Sequence, residues 1–195
     1  MSQAAVDALR RGEVIALATE TLFGLSIDPE HPGAVARLLA MKGRSPEKGL
    51  ILLVPDLARL EPLILPPSPV ARDLMARFWP GPLTLALPAR LHLPSHLTGG
   101  TGFIAARVSP APQVMALMAL WQRPLVSTSA NRSGQPTPAR AEEVRALWPD
   151  EALLVIDGSI RSDGLPSTLL RVEGERVTLL RAGAIPAEAL QVRLS

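Results

Sequence analysis

The sequence predicts an α/β protein in which helices pack on one twisted, mixed β-sheet, and three observations carry that expectation. Short apolar runs of strand length alternate with amphipathic stretches of helical period along most of the chain. A hairpin pattern comes late, with residues 166–172 and 177–181 flanking Glu173-Gly174-Glu175, which demands an antiparallel neighbour. The 195 residues, 47% hydrophobic and 19% charged, suffice for one full core, so a single domain over 1–195 is expected.

In order, residues 2–11 read as a helix that Ser2 can cap and Gly12 can close, and residues 14–18 as a strand covered on both faces. Residues 32–41 form a helix with Pro32 in its first turn and Gly43 beyond its end. A strand at 50–54 follows, then a helical turn opened by Asp56 and a proline-rich connection at 61–69. Residues 68–78 are an amphipathic helix stopped by the corner Trp79-Pro80-Gly81-Pro82, which releases a strand at 83–87. Residues 90–102 read as a loop, 103–108 as a strand, 115–121 as a helix and 125–126 as a short strand. A helix at 139–148 and a strand at 153–156 precede the hairpin. There is no internal repeat.

The formal charge of +2 does not imply wholesale nucleic-acid binding, although a local basic face is compatible with it. With no cysteine, disulfides, thiolate nucleophiles and cysteine metal sites are excluded. His92 and His96 are spaced like a helical metal pair, but Pro94 lies between them, so they read as surface residues and no metal site is expected. Neither a signal peptide nor an apolar run of membrane length is present, and the expectation is a soluble cytoplasmic protein without membrane contact.

Three stretches carry candidate chemistry. Lys42-Gly43-Arg44-Ser45-Pro46-Glu47-Lys48 holds the only two lysines of the chain; the other eighteen basic residues are arginine. A compact ammonium can follow a moving phosphate where a planar guanidinium cannot, so this loop is either a phosphate site or a solvated basic loop. Thr19-Glu20-Thr21-Leu22-Phe23-Gly24 places two hydroxyls and a carboxylate after a strand that reads as central, at the edge where open α/β sheets bind ligands. Those hydroxyls either meet a ligand or cap a turn. Ser127-Thr128-Ser129-Ala130-Asn131-Arg132-Ser133-Gly134 sets four hydroxyls and an amide after a short strand, able to bond phosphate, ribose or carboxylate, or to form turns. Arg107, near its strand's end, joins the same edge.

Taken together, these stretches resemble the YrdC/Sua5 family of L-threonylcarbamoyladenylate synthases. The resemblance runs from about Gly12 to Ile185 and adds Phe78-Trp79-Pro80-Gly81-Pro82-Leu83-Thr84, Ala106-Arg107-Val108, Ser167-Thr168 and Arg181-Ala182-Gly183 in the family's order. It implies L-threonine, bicarbonate and ATP as substrates, Mg2+ accompanying ATP, threonylcarbamoyl-AMP and pyrophosphate as products, and a role in t6A modification of tRNA. Possible contacts with tRNA and with tRNA-modification proteins follow from the same resemblance. Because the chain ends soon after Arg181, it looks like the short, single-domain form.

By position, the resemblance implies that Lys42 and Arg44 are catalytic and that Arg44, Lys48, Ser129, Asn131, Thr137 and Arg181 hold ATP. Thr21, Arg107, Ser127 and Ser167 would hold threonine, with Arg107 the counter-ion of its carboxylate. The chain departs from the family's pattern at Leu53, where a histidine near threonine is usual, and at Phe103, where a threonine near ATP is common; Ala18, Phe23, Ser45 and Lys48 are lesser departures. Two rivals stand beside this reading. One is a non-catalytic RNA-binding module with a basic concave face, against which the three Phe, three Trp and absent Tyr argue. The other is a carbamoyl-transfer domain using carbamoyl phosphate.

Overall fold

A computed structural model of the protein describes residues 2–43, 49–91, 93–149, 151, 153–158, 160 and 164–195. In chain order the elements are α1 (Ser2–Arg10), β1 (Val14–Ala18), β2 (Phe23–Ile27), α2 (Pro32–Lys42), β3 (Ile51–Leu53), α3 (Leu57–Leu60), α4 (Pro69–Phe78), β4 (Leu83–Pro88) and α5 (Ser95–Thr98). There follow β5 (Phe103–Arg107), α6 (Pro112–Trp121), β6 (Leu125–Ser129), α7 (Ala141–Leu147), β7 (Leu153–Ile156), β8 (Thr168–Glu173), β9 (Arg176–Arg181) and α8 (Ala187–Leu190). The strands form one nine-stranded mixed sheet in the order β7-β1-β2-β6-β3-β5-β4-β8-β9. Three of its pairings, β1 with β7, β3 with β5 and β4 with β8, are parallel, and the rest are antiparallel.

Local signals account for the element ends. Asp56 accepts from Arg59 N at 2.9 Å and Ser68 from Ala71 N at 3.2 Å, each satisfying an amide that the first helical turn leaves unpaired. Gly43 ends α2 at φ 56°, ψ 40°, a left-handed conformation that a side chain would strain. The hairpin turn at Gly174, φ 60°, joins β8 to β9 as expected.

Four expectations need correction. Residues 19–24 are not wholly a connection, since Phe23 and Gly24 open β2. This strand is buried along all five residues, and its Gly and Ser hide it from a pattern search. β1 lies beside the edge strand β7 rather than centrally. The strand at 125–126 continues to Ser129, so Ser127, Thr128 and Ser129 belong to the sheet itself. The loop at 90–102 also contains the single helical turn α5.

The two faces of the sheet are treated differently. One carries the larger apolar core, including Leu25, Leu52, Leu85, Ala106 and Val126 beneath α2, α4 and α7. On the other, α1 and α6 pack over Ile15, Leu17, Leu53, Leu125 and Ile156. Because side chains alternate along a strand, Leu52 and Leu53 serve opposite cores. The α1/α6 layer covers one part of its face, and the remainder is free to form a cavity.

Leu53 is fully buried in that layer. Leu53→Ala should lower the unfolding free energy by about 2–5 kcal/mol, the usual range for a Leu→Ala cavity, measured by urea denaturation.

Candidate active site

The uncovered part of the second face is a cavity of about 730 Å3. Register places its floor in one row across the sheet: Ser127 opposes Ile51, Ile51 opposes Ala105, Ala105 opposes Ala86, and Ala86 opposes Arg171. The site therefore lies across the sheet face, not along one edge of strand ends. The cause is the antiparallel pairing of β6 with both β2 and β3, which prevents the strand termini from aligning.

Arg107 is the most constrained group. It is 5% exposed, and its guanidinium donates to Glu20 Oε1 in an ion pair and to Thr21 Oγ1 at 3.4 Å. Ser109 Oγ donates to the other oxygen of Glu20. Burial first, and the positive charge of Arg181 second, push the Arg107 guanidinium down to about 9, although the Glu20 carboxylate against it works the other way. The group keeps its charge at neutral pH, in a cavity that Arg181 also lines.

Hydroxyls surround this centre. Thr19 ties the turn before β2 by donating to Leu22 O at 2.7 Å and accepting from Leu22 N at 3.1 Å, so it does act as a turn cap. Thr21, 3.0 Å from Thr19 Oγ1, lines the cavity. Gly24 lies against Ser127, where a Cβ would sit 2.7 Å from Ser127 Oγ and force that hydroxyl to turn. Opposite, Ser167 Oγ is 2.7 Å from Thr84 Oγ1 and accepts from Arg181 Nη2 at 2.9 Å. Arg181 also donates twice to Ser167 O, at 3.1 and 2.8 Å. A Cβ on Gly183 would meet Pro166 O at 2.3 Å, so the chain can pass this corner only with glycine.

Thr21, Arg107, Ser127, Ser129, Thr137, Ser167 and Arg181 all line the cavity. Lys42 is placed otherwise. It is 5% exposed, and its ammonium donates to Ser129 O at 2.6 Å, Asn131 O at 2.5 Å and Asn131 Oδ1 at 2.9 Å, behind the cavity wall. Asn131 is bound within the same knot, its Oδ1 also accepting from Ser129 Oγ at 2.6 Å. Arg44 and Lys48 lie outside the described residues, as does His92. His96 is half-buried rather than a surface residue, and no group of three or more His, Asp or Glu able to hold a metal occurs among the described residues.

Leu53, expected to bear on the site, belongs to the α1/α6 core and does not line the cavity. Phe103 does, with the Arg171 guanidinium 4.0 Å from its ring centroid. The residues missed by sequence reasoning are Glu20, as partner of Arg107, together with Ser109, Thr84 and Arg171. Glu20 was visible as the carboxylate of its motif, but its partner is 87 positions away, and nothing local signals the pairing.

Lys42 should be intolerant of substitution for a geometric reason. Both Lys42→Met and Lys42→Arg should lower unfolding free energy by roughly 1.5–3 kcal/mol, the scale for hydrogen bonds to a charged group, because neither presents three donors from one point. Denaturant titration checks this.

Comparisons with known proteins agree with this architecture. A family model described as telomere recombination, covering Sua5, YciO and YrdC, matches residues 7–183. A threonylcarbamoyl-AMP synthase of Chromohalobacter salexigens is 42% identical over 165 residues, covering 85% of this chain and 89% of that protein. One from Vibrio cholerae is 39% identical over 183 residues, covering 93% and 96%. The structure of P. abyssi Sua5 complexed with L-threonine superposes with a TM-score of 0.91 at 32% identity over 100% of this chain, which spans 58% of that longer one. E. coli YciO shares the fold with a TM-score of 0.85 at 23% identity, covering 97% of this chain and 92% of its own. With the model matched from the first helix to the end of the last strand and such identity along most of its length, the chain belongs to the Sua5/YciO/YrdC family.

Proposed function

We propose that the chain is an L-threonylcarbamoyladenylate synthase, converting L-threonine, bicarbonate and ATP to threonylcarbamoyl-AMP and pyrophosphate, with the product destined for t6A in tRNA. The observation that carries this reading is the buried Arg107, braced by Glu20 beside Arg181 in a hydroxyl-lined cavity. An amino-acid carboxylate is the anion that such a centre accommodates, and the curated relatives carry this activity in their names.

In this reading threonine's carboxylate accepts from Arg107, while Thr21, Ser127 and Ser167 hold its hydroxyl and amine. The ATP side is formed by Ser129, Asn131, Thr137 and Arg181, with Arg44 and Lys48 completing the phosphate contacts. Lys42 serves that side by fixing the Ser129–Asn131 carbonyls. Magnesium enters as part of the Mg-ATP substrate.

Chemically, the deprotonated amine of threonine adds to CO2 derived from bicarbonate, with loss of water. The resulting carbamate oxygen attacks the α-phosphorus of ATP and expels pyrophosphate. No protein nucleophile is required. The enzyme's contribution is to hold two anionic reactants at reacting distance and to stabilise charge that builds on the phosphates.

Purified protein should release pyrophosphate from ATP only when L-threonine and bicarbonate are both present, with L-serine a poorer substrate. Absence of release from folded protein overturns the reading. Arg107→Lys keeps the charge but loses the fork, and should raise the threonine KM by about ten- to a hundredfold, roughly 1.5–3 kcal/mol, while changing the ATP KM little.

A further inference from the structure

Ser167 is held at the cavity through its chain neighbours as well as through its own side chain. The Thr168 amide donates to Pro82 O at 3.0 Å. The Thr168 hydroxyl donates to Ile185 O at 2.7 Å and accepts from Ile185 N at 2.9 Å, and the Ser167 carbonyl takes both donations from Arg181. What remains adjustable at Ser167 is the direction of its hydroxyl hydrogen.

Thr84 sets that direction. It is fully buried in the interior strand β4, and among the described residues its hydroxyl meets one group, Ser167 Oγ at 2.7 Å. A buried hydroxyl hydrogen without an acceptor is costly, so Thr84 has to donate. Ser167 Oγ then accepts from Thr84 and from Arg181 Nη2 at 2.9 Å, which fills both of its lone pairs. The Ser167 hydrogen meets no protein acceptor among the described residues, and Ser167 lines the cavity. With the direction reversed, Ser167 would keep a lone pair for a ligand N–H, and Thr84 would carry a buried hydrogen with nowhere to go.

We infer that Thr84 is a positioning residue, holding the Ser167 hydroxyl as a hydrogen-bond donor that meets an oxygen of the bound amino acid and not its ammonium. The inference rests on the amino-acid reading of the cavity and deepens it. Sheet geometry agrees with it. The pair Leu85–Ala106 puts Thr84 and Arg107 next in line along β4 and β5, while β8, which Ser167 precedes, flanks β4 on the other side. Donors therefore stand on both sides of Thr84, and a ligand oxygen suits each of them.

L-Threonine binding to the whole chain, by isothermal titration calorimetry, tests this on two substitutions that separate shape from chemistry. Thr84→Val keeps the branched shape and loses the donor, and should weaken threonine binding about three- to tenfold, the scale of one hydrogen bond. Thr84→Ser loses a methyl group and keeps the donor, and should bind within about twofold of wild type although it is the less stable protein in urea. A residue that only fills space would give the reverse order. In a Ser167→Ala background, Thr84→Val should weaken binding no further. L-2-Aminobutyrate, which lacks the side-chain hydroxyl, tells the two ligand oxygens apart: an effect of Thr84→Val that disappears with it assigns Ser167 to the hydroxyl oxygen, one that persists assigns it to the carboxylate, and both keep the donor polarity. The inference is overturned if folded Thr84→Val binds threonine as tightly as wild type, if Thr84→Ser loses as much as Thr84→Val, or if Thr84→Val adds to the loss in Ser167→Ala. Failure of the folded wild-type protein to bind threonine overturns the amino-acid reading itself, and this inference with it.

Discussion

A guanidinium held at 5% exposure costs several kcal/mol in lost hydration unless a partner compensates, and much of this molecule is arranged around that requirement. Arg107 reaches its position because β5 is an interior strand, flanked by β3 and β4. Its partner Glu20 comes from the turn between β1 and β2, and the turn is held in shape by the Thr19 hydroxyl. Ser109 takes the second carboxylate oxygen. Two remote segments, 19–22 and 107–109, are therefore tied together at one charge, and each lies where the sheet order brings it.

The same face has to serve two purposes. Where α1 and α6 cover it, residues such as Leu53 and Leu125 form a dry core; a few ångströms away, Arg107 and Ser127 sit in the same face and line a cavity. The register β3 with β5 pairs Leu53 with Arg107, so the boundary between core and site falls between two neighbouring residues of adjacent strands. That proximity explains why an apolar residue can stand at position 53 without entering the cavity. Gly183 meets a harder limit than Gly24, since a Cβ there would sit 2.3 Å from the backbone oxygen of Pro166 rather than against a side-chain hydroxyl.

Much of this was legible in the sequence, and the reasons differ by element. Helix ends were readable because Asp56, Ser68 and Gly43 carry their own local chemistry. The parallel and interior strands were readable where they are uniformly apolar, as at Val14–Ala18. β2 was not, since Phe-Gly-Leu-Ser-Ile is buried through sheet position rather than through a strand-forming composition. Seven cavity-lining residues were named from motifs, but the Glu20–Arg107 pair was not, because a contact spanning 87 positions is set by strand order. Strand order was not derivable from periodicity.

The lysine count, which first pointed to the 42–48 loop, meets at position 42 a set of acceptors within the protein itself. Three acceptors, two backbone carbonyls and one amide oxygen, converge on a single point at 2.5–2.9 Å from Lys42 Nζ. A tetrahedral ammonium directs three hydrogens from one nitrogen and can satisfy all three; a guanidinium spreads its donors over a plane and is too wide for the same gap. Lys48 is the chain's other lysine and the remaining eighteen basic residues are arginine, so the acceptor geometry gives a physical reason for lysine at 42. Because those acceptors belong to the segment from Ser129 to Asn131 at the end of β6, the ammonium sets the position of residues beside the cavity without itself lining it. The three acceptors by themselves favour an ammonium over a guanidinium at this point.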